Sequence, residues 1–261
     1  MTSDREGKEK PKRLGSHQKC WLWGRHVVLE TLRAGKWPIL ELYLADHLPP
    51  AEQMEVEATA RKIGVPVLVE SAAKLTRKCH SEEHQGFLAK MAEFPYDSAA
   101  AILQPQPHPP LYAVIDSIQD PYNFGAIIRS AEGFGLDAVF IGASHQVGVT
   151  SHVARSSSGA VNRIPIAREE DLLHLCERLR ERGVALVGSN EKAGQSIEKI
   201  DFTRPAAILI GNEGQGIREE LAQSCSVIAR IPQHGTIGSL NAAAAAAVFF
   251  YEARRQRRMK R

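Results

Sequence analysis

Three short stretches of this chain combine the residue types needed to hold a nucleotide-like ligand and to do polar chemistry on a second molecule. Gly211-Asn212-Glu213-Gly214-Gln215-Gly216 places three glycines in six residues, directly after the apolar run Ala206-Ala207-Ile208-Leu209-Ile210. Glycine has no Cβ, so backbone N–H and C=O groups in such a turn can approach a ligand closely. Glu213 adds a carboxylate that either accepts from backbone or substrate donors or stabilises the turn itself. A second apolar run, Val227-Ile228-Ala229-Arg230-Ile231, is stopped by Pro232, and the loop beyond it reaches Ser239-Leu240-Asn241 and a run of alanines. Ser239 is expected to N-cap the helix that follows, its hydroxyl accepting from first-turn N–H groups. Upstream, Asn123-Phe124-Gly125-Ala126-Ile127-Ile128-Arg129 follows Asp120-Pro121. Asn123 can orient a nucleotide and cap the helix beginning beside it. A guanidinium stays protonated, so Arg129 is a poor proton acceptor. It suits a forked grip on phosphate, against the alternative of an exposed i,i+3 ion pair with Glu132.

Positioning these groups takes an alternation of strands and helices. The pattern predicts helices over residues 24–34, 51–63 and 72–78, with strands over 39–45, 65–69 and 86–91, a small α/β module at residues 20–94. Residues 95–110, with Gln104-Pro105-Gln106-Pro107-His108-Pro109-Pro110, read as a semi-rigid linker. From residue 111 to 261 the alternation resumes, with strands over 111–115, 138–141, 164–166, 184–187, 206–210 and 227–231. Helices are predicted over 123–134, 169–182 and 217–224, then along the alanine run. Such alternation gives a parallel sheet covered on both faces. Glycine-bearing loops at the ends of buried strands are where open α/β sheets bind nucleotide-like ligands. The spacing Gly211-x-x-Gly214-x-Gly216 reverses that of the dinucleotide fingerprint, and no ribose-binding acid follows it, which argues against a dehydrogenase.

The bulk numbers bound the class. At 261 residues, 43% hydrophobic and 24% charged, the chain is an ordinary globular protein with a sizeable core. Residues 1–19 are polar and aperiodic and read as a disordered tail without a targeting signal. No apolar run approaches the ~20 residues of a membrane span. Cys20, Cys79, Cys176 and Cys225 are widely spaced, which suits reduced thiols in the cytoplasm and argues against structural zinc. The net charge of +3 conceals an asymmetry: residues 254–261 hold six basic residues, so the rest of the chain is net acidic. That tail serves either as a phosphate-contacting segment or as a helix end favoured by the macrodipole. His80-Ser81-Glu82-Glu83-His84 has a peptidase-like metal spacing, but Gly86 and a predicted strand follow at once where a sustained helix is needed. No metal is expected.

The three stretches occur in an order that resembles the SpoU/TrmH branch of the SPOUT RNA methyltransferases: Asn123-x-Gly125-x-x-x-Arg129, then residues 211–216 with Ile231-Pro232, then Gly235-x-x-x-Ser239-Leu240-Asn241. The resemblance implies a C-terminal SPOUT-type parallel-sheet domain with a trefoil knot. Trp21-Leu22-Trp23-Gly24-Arg25-His26 and His84-Gln85-Gly86-Phe87 are similar to the small L30e-like α/β substrate-binding domain of many SpoU-type enzymes, while the aromatics also suit a plain core. What the resemblance implies for function is transfer of a methyl group from S-adenosylmethionine to a ribose 2′-hydroxyl of structured RNA, closest to the branch that modifies a guanosine of large-subunit ribosomal RNA. A transfer-RNA enzyme of the same family and a catalytically silent RNA-binding scaffold are the rivals. By the same resemblance Gly211, Ile231 and Leu240 contact the cofactor, Ser239 and Asn241 lie near the nucleophile, and the protein is a homodimer; Gly214 and Gly216 add turn backbone to the cofactor set, and Asn123, Arg129 and Glu213 complete the candidate catalytic residues. The family commonly continues Ser-Leu-Asn-Val-Ser-Val-Ala, whereas this chain has six alanines from Ala242 to Ala247, so a second serine is missing. The small side chains let either a helix of the same chain or a partner subunit pack closely.

Overall fold

The computed structural model describes residues 20–212, 214–235 and 238–259. The chain divides into two compact units between Pro95 and Tyr96. The first contains β1 (Trp21–Trp23), α1 (Arg25–Ala34), β2 (Ile39–Ala45), α2 (Pro50–Lys62), β3 (Val67–Glu70), α3 (Ala72–Cys79) and β4 (Phe87–Met91). Its sheet runs β1-β4-β2-β3, with β2 and β3 parallel and the other pairs antiparallel. Helix α1 stops because Gly35 takes the left-handed conformation and returns its N–H to the Thr31 carbonyl. Trp21 and Trp23 form a strand that the sequence pattern does not predict. Both are buried in one cluster with Tyr43, Leu75 and Leu88, so these aromatics are core.

The His-x-x-Glu-His spacing straddles a helix end. His80 closes α3 in the left-handed region, and His84 lies in the turn beyond. There its Nδ1 accepts from the Gly86 N–H at 3.0 Å and its Nε2 lies 3.1 Å from Thr76 Oγ1. Burial holds the His84 imidazole below its ordinary pKa, favouring the neutral ring.

The second unit contains α4 (Ala99–Ile102), β5 (Leu111–Ile115), α5 (Pro121–Gly133), β6 (Ala138–Gly142), α6 (Ser151–Ser156), β7 (Ile166–Glu169), α7 (Leu172–Glu181) and β8 (Ala185–Ser189). It continues with β9 (Gln195–Ser196), β10 (Ala206–Ile210), α8 (Glu219–Ser224), β11 (Val227–Arg230) and α9 (Ala242–Met259). The sheet is parallel throughout, in the order β7-β6-β5-β10-β8-β11-β9. Strands β5, β6 and β10 are buried along their whole length, which is why they read as unbroken apolar runs. β7 starts two residues later than expected because Pro165 has no N–H to give a ladder. α7 starts at Leu172 because the Asp171 carboxylate accepts from the N–H groups of Leu173 and His174.

Part of the expected linker packs on this unit. Tyr96 Oη accepts from the Val149 N–H at 2.8 Å, and Asp97 Oδ2 accepts from the Ile166 N–H at 2.9 Å. The basic C-terminal stretch is also partly structural. Arg257 donates to the carbonyls of Phe202, Pro110 and Arg204 at 2.8–3.0 Å and to that of Pro109. Its burial moves the guanidinium below its usual pKa. Arg255 holds Glu252 through two nitrogens. Among the described residues no helix is long and apolar enough to cross a membrane.

Candidate active site

The loops leaving β10, β8 and β11, three adjacent parallel strands, end on one cavity of about 330 Å3. That is within the ~300–1,000 Å3 usual for small-molecule sites. Gly211, Gly214 and Gly216 line it from the turn after β10, and Ile231 from the segment after β11. Ser239 and Leu240 close it ahead of α9. All five residues expected to hold the cofactor, together with Ser239, therefore face a single space. Glu213 lies outside the described residues.

The turn's shape follows from its glycines. Asn212 and Gly216 exchange backbone hydrogen bonds of 3.0 and 2.8 Å, and Asn212 Oδ1 accepts from the Gly214 N–H at 2.8 Å. The chain doubles back so tightly that a Cβ on Gly211 would lie 2.1 Å from the Gly216 carbonyl carbon. Gly216 itself has φ +70°, the left-handed region glycine occupies without strain.

Two further walls carry little signal in the sequence. Ser189 at the end of β8 and Asn190, Glu191 and Lys192 beyond it line the cavity; they carry no glycine cluster, and their one signal is the polar break after the apolar run 184–187. The other wall is α9, through Ala242, Ala245 and Phe249. This spacing of three and four puts them on one helical face.

Asn123 and Asn241, 118 residues apart, meet directly: Asn241 Nδ2 donates to Asn123 Oδ1 at 3.0 Å. Their capping roles differ from expectation. Asp120, not Asn123, caps α5, accepting from the N–H groups of Tyr122 and Asn123, with Pro121 in the first turn. Asn241, not Ser239, caps α9, its Oδ1 accepting from Ala243 and Ala244 N–H at 3.0 and 3.3 Å. In both cases the residue that precedes the first helical turn lies two or three positions from the residue whose type first suggests a cap. Gly125 serves packing. A Cβ there would lie 1.8 Å from Ser156 Oγ, so its absence lets α6 seat against α5, where Ser156 Oγ donates to the Pro121 carbonyl.

Arg129 does not line the cavity. It lies on α5, which packs against α9, and its side chain is exposed. Among the described residues it makes no ion pair with Glu132.

A family model for the SpoU rRNA methylase family matches residues 110–251, and one for the RNA 2′-O ribose methyltransferase substrate-binding domain matches residues 21–97. The chain belongs to the SpoU family. It is 33% identical over 239 residues to the 23S rRNA (guanosine-2′-O-)-methyltransferase RlmB of Coxiella burnetii, covering 90% of this chain and 95% of that protein. Among solved structures it resembles the SpoU methyltransferase AviRb of Streptomyces viridochromogenes in complex with AdoMet, with a TM-score of 0.77, 27% identity and coverage of 92% and 90%. An AdoMet-bound rRNA methyltransferase of Sinorhizobium meliloti gives a TM-score of 0.79 at 27% identity, with 91% and 87% covered. The SpoU fold, with its substrate-binding module ahead of the parallel sheet, thus accounts for both units of this chain.

Proposed function

We propose that the chain methylates a ribose 2′-hydroxyl of structured RNA, using S-adenosylmethionine, and that its target is a guanosine in large-subunit ribosomal RNA. The observation that carries this reading is the single cavity onto which all five expected cofactor residues converge, with the Asn123–Asn241 pair at the N-terminus of its α9 wall. The residues fit the cofactor. Ile231 and Leu240 offer aliphatic walls to a flat ring, and the crowded 211–216 turn offers backbone donors and acceptors.

When bound, the cofactor supplies a methyl group on an electron-poor sulfonium. The chain's own task is to hold the attacking oxygen in line with that group, the positioning share of the rate. Asn123 and Asn241 fix each other's amides beside the cavity and so orient the nucleotide. Arg129, charged and exposed, grips a phosphate and eases the charge growing on the hydroxyl oxygen as its proton passes to phosphate or water.

The ribosomal target rests on the similarity to RlmB, and residence in the cytoplasm follows from such a substrate. A homodimer belongs to the same proposal. Tyr122 on α5 and Val248 and Tyr251 on α9 are exposed large side chains on two helices that pack together, exposed surface of the kind a second copy would cover. The family's trefoil knot is proposed with it. Mapping 2′-O-methylation in cells with and without the gene tests the reading. Loss of one guanosine methylation in large-subunit RNA is expected. A loss confined to transfer RNA would reassign the target, and no loss in either RNA would refute the function.

A further inference from the structure

The strand order reverses between β5 and β10, since β5 leads on to β6 on one side and β10 to β11 on the other. Such a switch point opens a crevice at the strands' C-terminal ends. Here the crevice is bridged by Asp116, Ser117 and Arg218, none of which lines the cofactor cavity, together with Asn212, which does. Asp116, just beyond β5, is 1% exposed, and a buried carboxylate is costly unless its oxygens are satisfied. Its Oδ2 accepts from the Arg218 N–H at 2.9 Å, and its Oδ1 accepts from Arg218 Nε at 2.8 Å and from Ser117 Oγ at 3.1 Å. Ser117, held at φ +62°, presents its carbonyl to Asn212 Nδ2 at 3.0 Å. Both ends of the glycine turn are thereby tied to the end of β5, which leads through Asp120 into α5 and Asn123.

Arg218 is the asymmetric member of this cluster. Asp116 engages only its backbone N–H and Nε. Its Nη1 and Nη2 make no hydrogen bond to any described residue, and its side chain is 49% exposed. Arg218 does not line the cofactor cavity. A guanidinium clamped at Nε cannot turn away, so its outer edge is fixed in advance and loses little freedom on meeting a ligand. Two parallel N–H donors on that edge match the oxygens of a phosphate.

We propose that Arg218 is a further RNA-phosphate-binding residue of this site, with Asp116 as its positioning residue. This rests on the RNA methyltransferase reading above. The rival account is that the ion pair only closes the glycine turn. Arg218→Gln separates the two, because glutamine can still donate to Asp116 while the outer guanidinium edge is lost. Binding of a fluorescent RNA hairpin with a guanosine-bearing loop is measured across a salt series, with S-adenosylmethionine affinity measured by calorimetry on the same preparations. The expected result is about tenfold weaker hairpin binding, a salt slope shallower by about 0.7–0.9, and unchanged cofactor affinity. An unchanged slope with weakened cofactor binding, or no change in either, overturns the proposal. Arg218→Lys keeps the charge without the fork, so it should weaken hairpin binding at an unaltered slope; wild-type affinity in that variant also overturns it. Should the wild-type protein bind neither ligand, the methyltransferase reading fails instead.

Discussion

Gly211→Ala puts the proposed cofactor cavity to its most direct test. The added methyl would sit 2.1 Å from the Gly216 carbonyl carbon and 2.2 Å from its oxygen and from Ile217 N. All three are backbone atoms, so no rotamer relieves the clash. To reach an ordinary contact of 3.4 Å the turn must open, and opening breaks the two backbone hydrogen bonds between Asn212 and Gly216. At about 0.5–1.5 kcal/mol each, their loss costs roughly 1–3 kcal/mol, a fivefold to 150-fold loss of affinity if the closed turn is the binding form. Two neighbours calibrate the result. Gly214→Ala meets only Asn212 Oδ1 at 3.4 Å and should bind almost as wild type. Gly216→Ala has open space but φ +70°, a conformation that costs a residue with a side chain about 1–2 kcal/mol. Calorimetry with S-adenosylmethionine on the three folded variants should therefore rank position 214 mildest and position 211 most severe. A Gly211→Ala protein that binds as tightly as Gly214→Ala would refute the role given to this turn.

Arg129→Lys should lose most turnover with cofactor affinity unchanged, since a point charge cannot replace the fork and Arg129 does not line the cavity; near-normal turnover would remove Arg129 from the mechanism. Asn241→Asp keeps an acceptor for the Ala243 and Ala244 N–H groups but loses the donor to Asn123. It should melt as wild type and turn over slowly, whereas Asn241→Ala should also lose about 1 kcal/mol of stability with its cap. Arg257→Ala removes a guanidinium shared among four carbonyls and should cost about 1.5–3 kcal/mol in urea unfolding. Burial lowers the His84 pKa below 6.5, so the unfolded chain takes up the proton first. Stability of the first unit should then fall as pH drops through the ordinary imidazole value and level off below the folded one; a His84→Gln variant with the same pH dependence would contradict this.

How far the sequence reaches depends on whether a residue's role is local. The buried strands were readable because burial on both faces needs an unbroken apolar run, and β5, β10 and most of β8 have one. That Gly211, Gly214, Gly216, Ile231 and Leu240 share one cavity was readable because tight turns need glycine and apolar residues beside them make walls. Capping was harder. Ser239 and Asn241 are both good caps two positions apart, and the choice turns on where the loop ahead of α9 releases the chain into a helix. The Asn123–Asn241 hydrogen bond spans 118 positions and has no local signature. Arg257 was hidden for a related reason: a basic tail looks the same in sequence whether its charges face solvent or dock on carbonyls at Pro109, Pro110, Phe202 and Arg204.

The alanine run settles once its faces are separated. Ala242, Ala245 and Phe249 line the cavity, Ala246, Phe250 and Ala253 are buried, and Val248 and Tyr251 face outward. The serine that the family places two residues after the asparagine would fall at Ala243. That position does not line the cavity, and its backbone N–H is already taken by the Asn241 cap. The missing serine therefore takes nothing from the lining of the proposed cofactor cavity. Ala245 is the position under real constraint. A larger side chain would project into the space bounded by Gly211, Ile231 and Leu240, so small residues on this face follow from the cavity itself, whether or not a partner subunit covers the outer one.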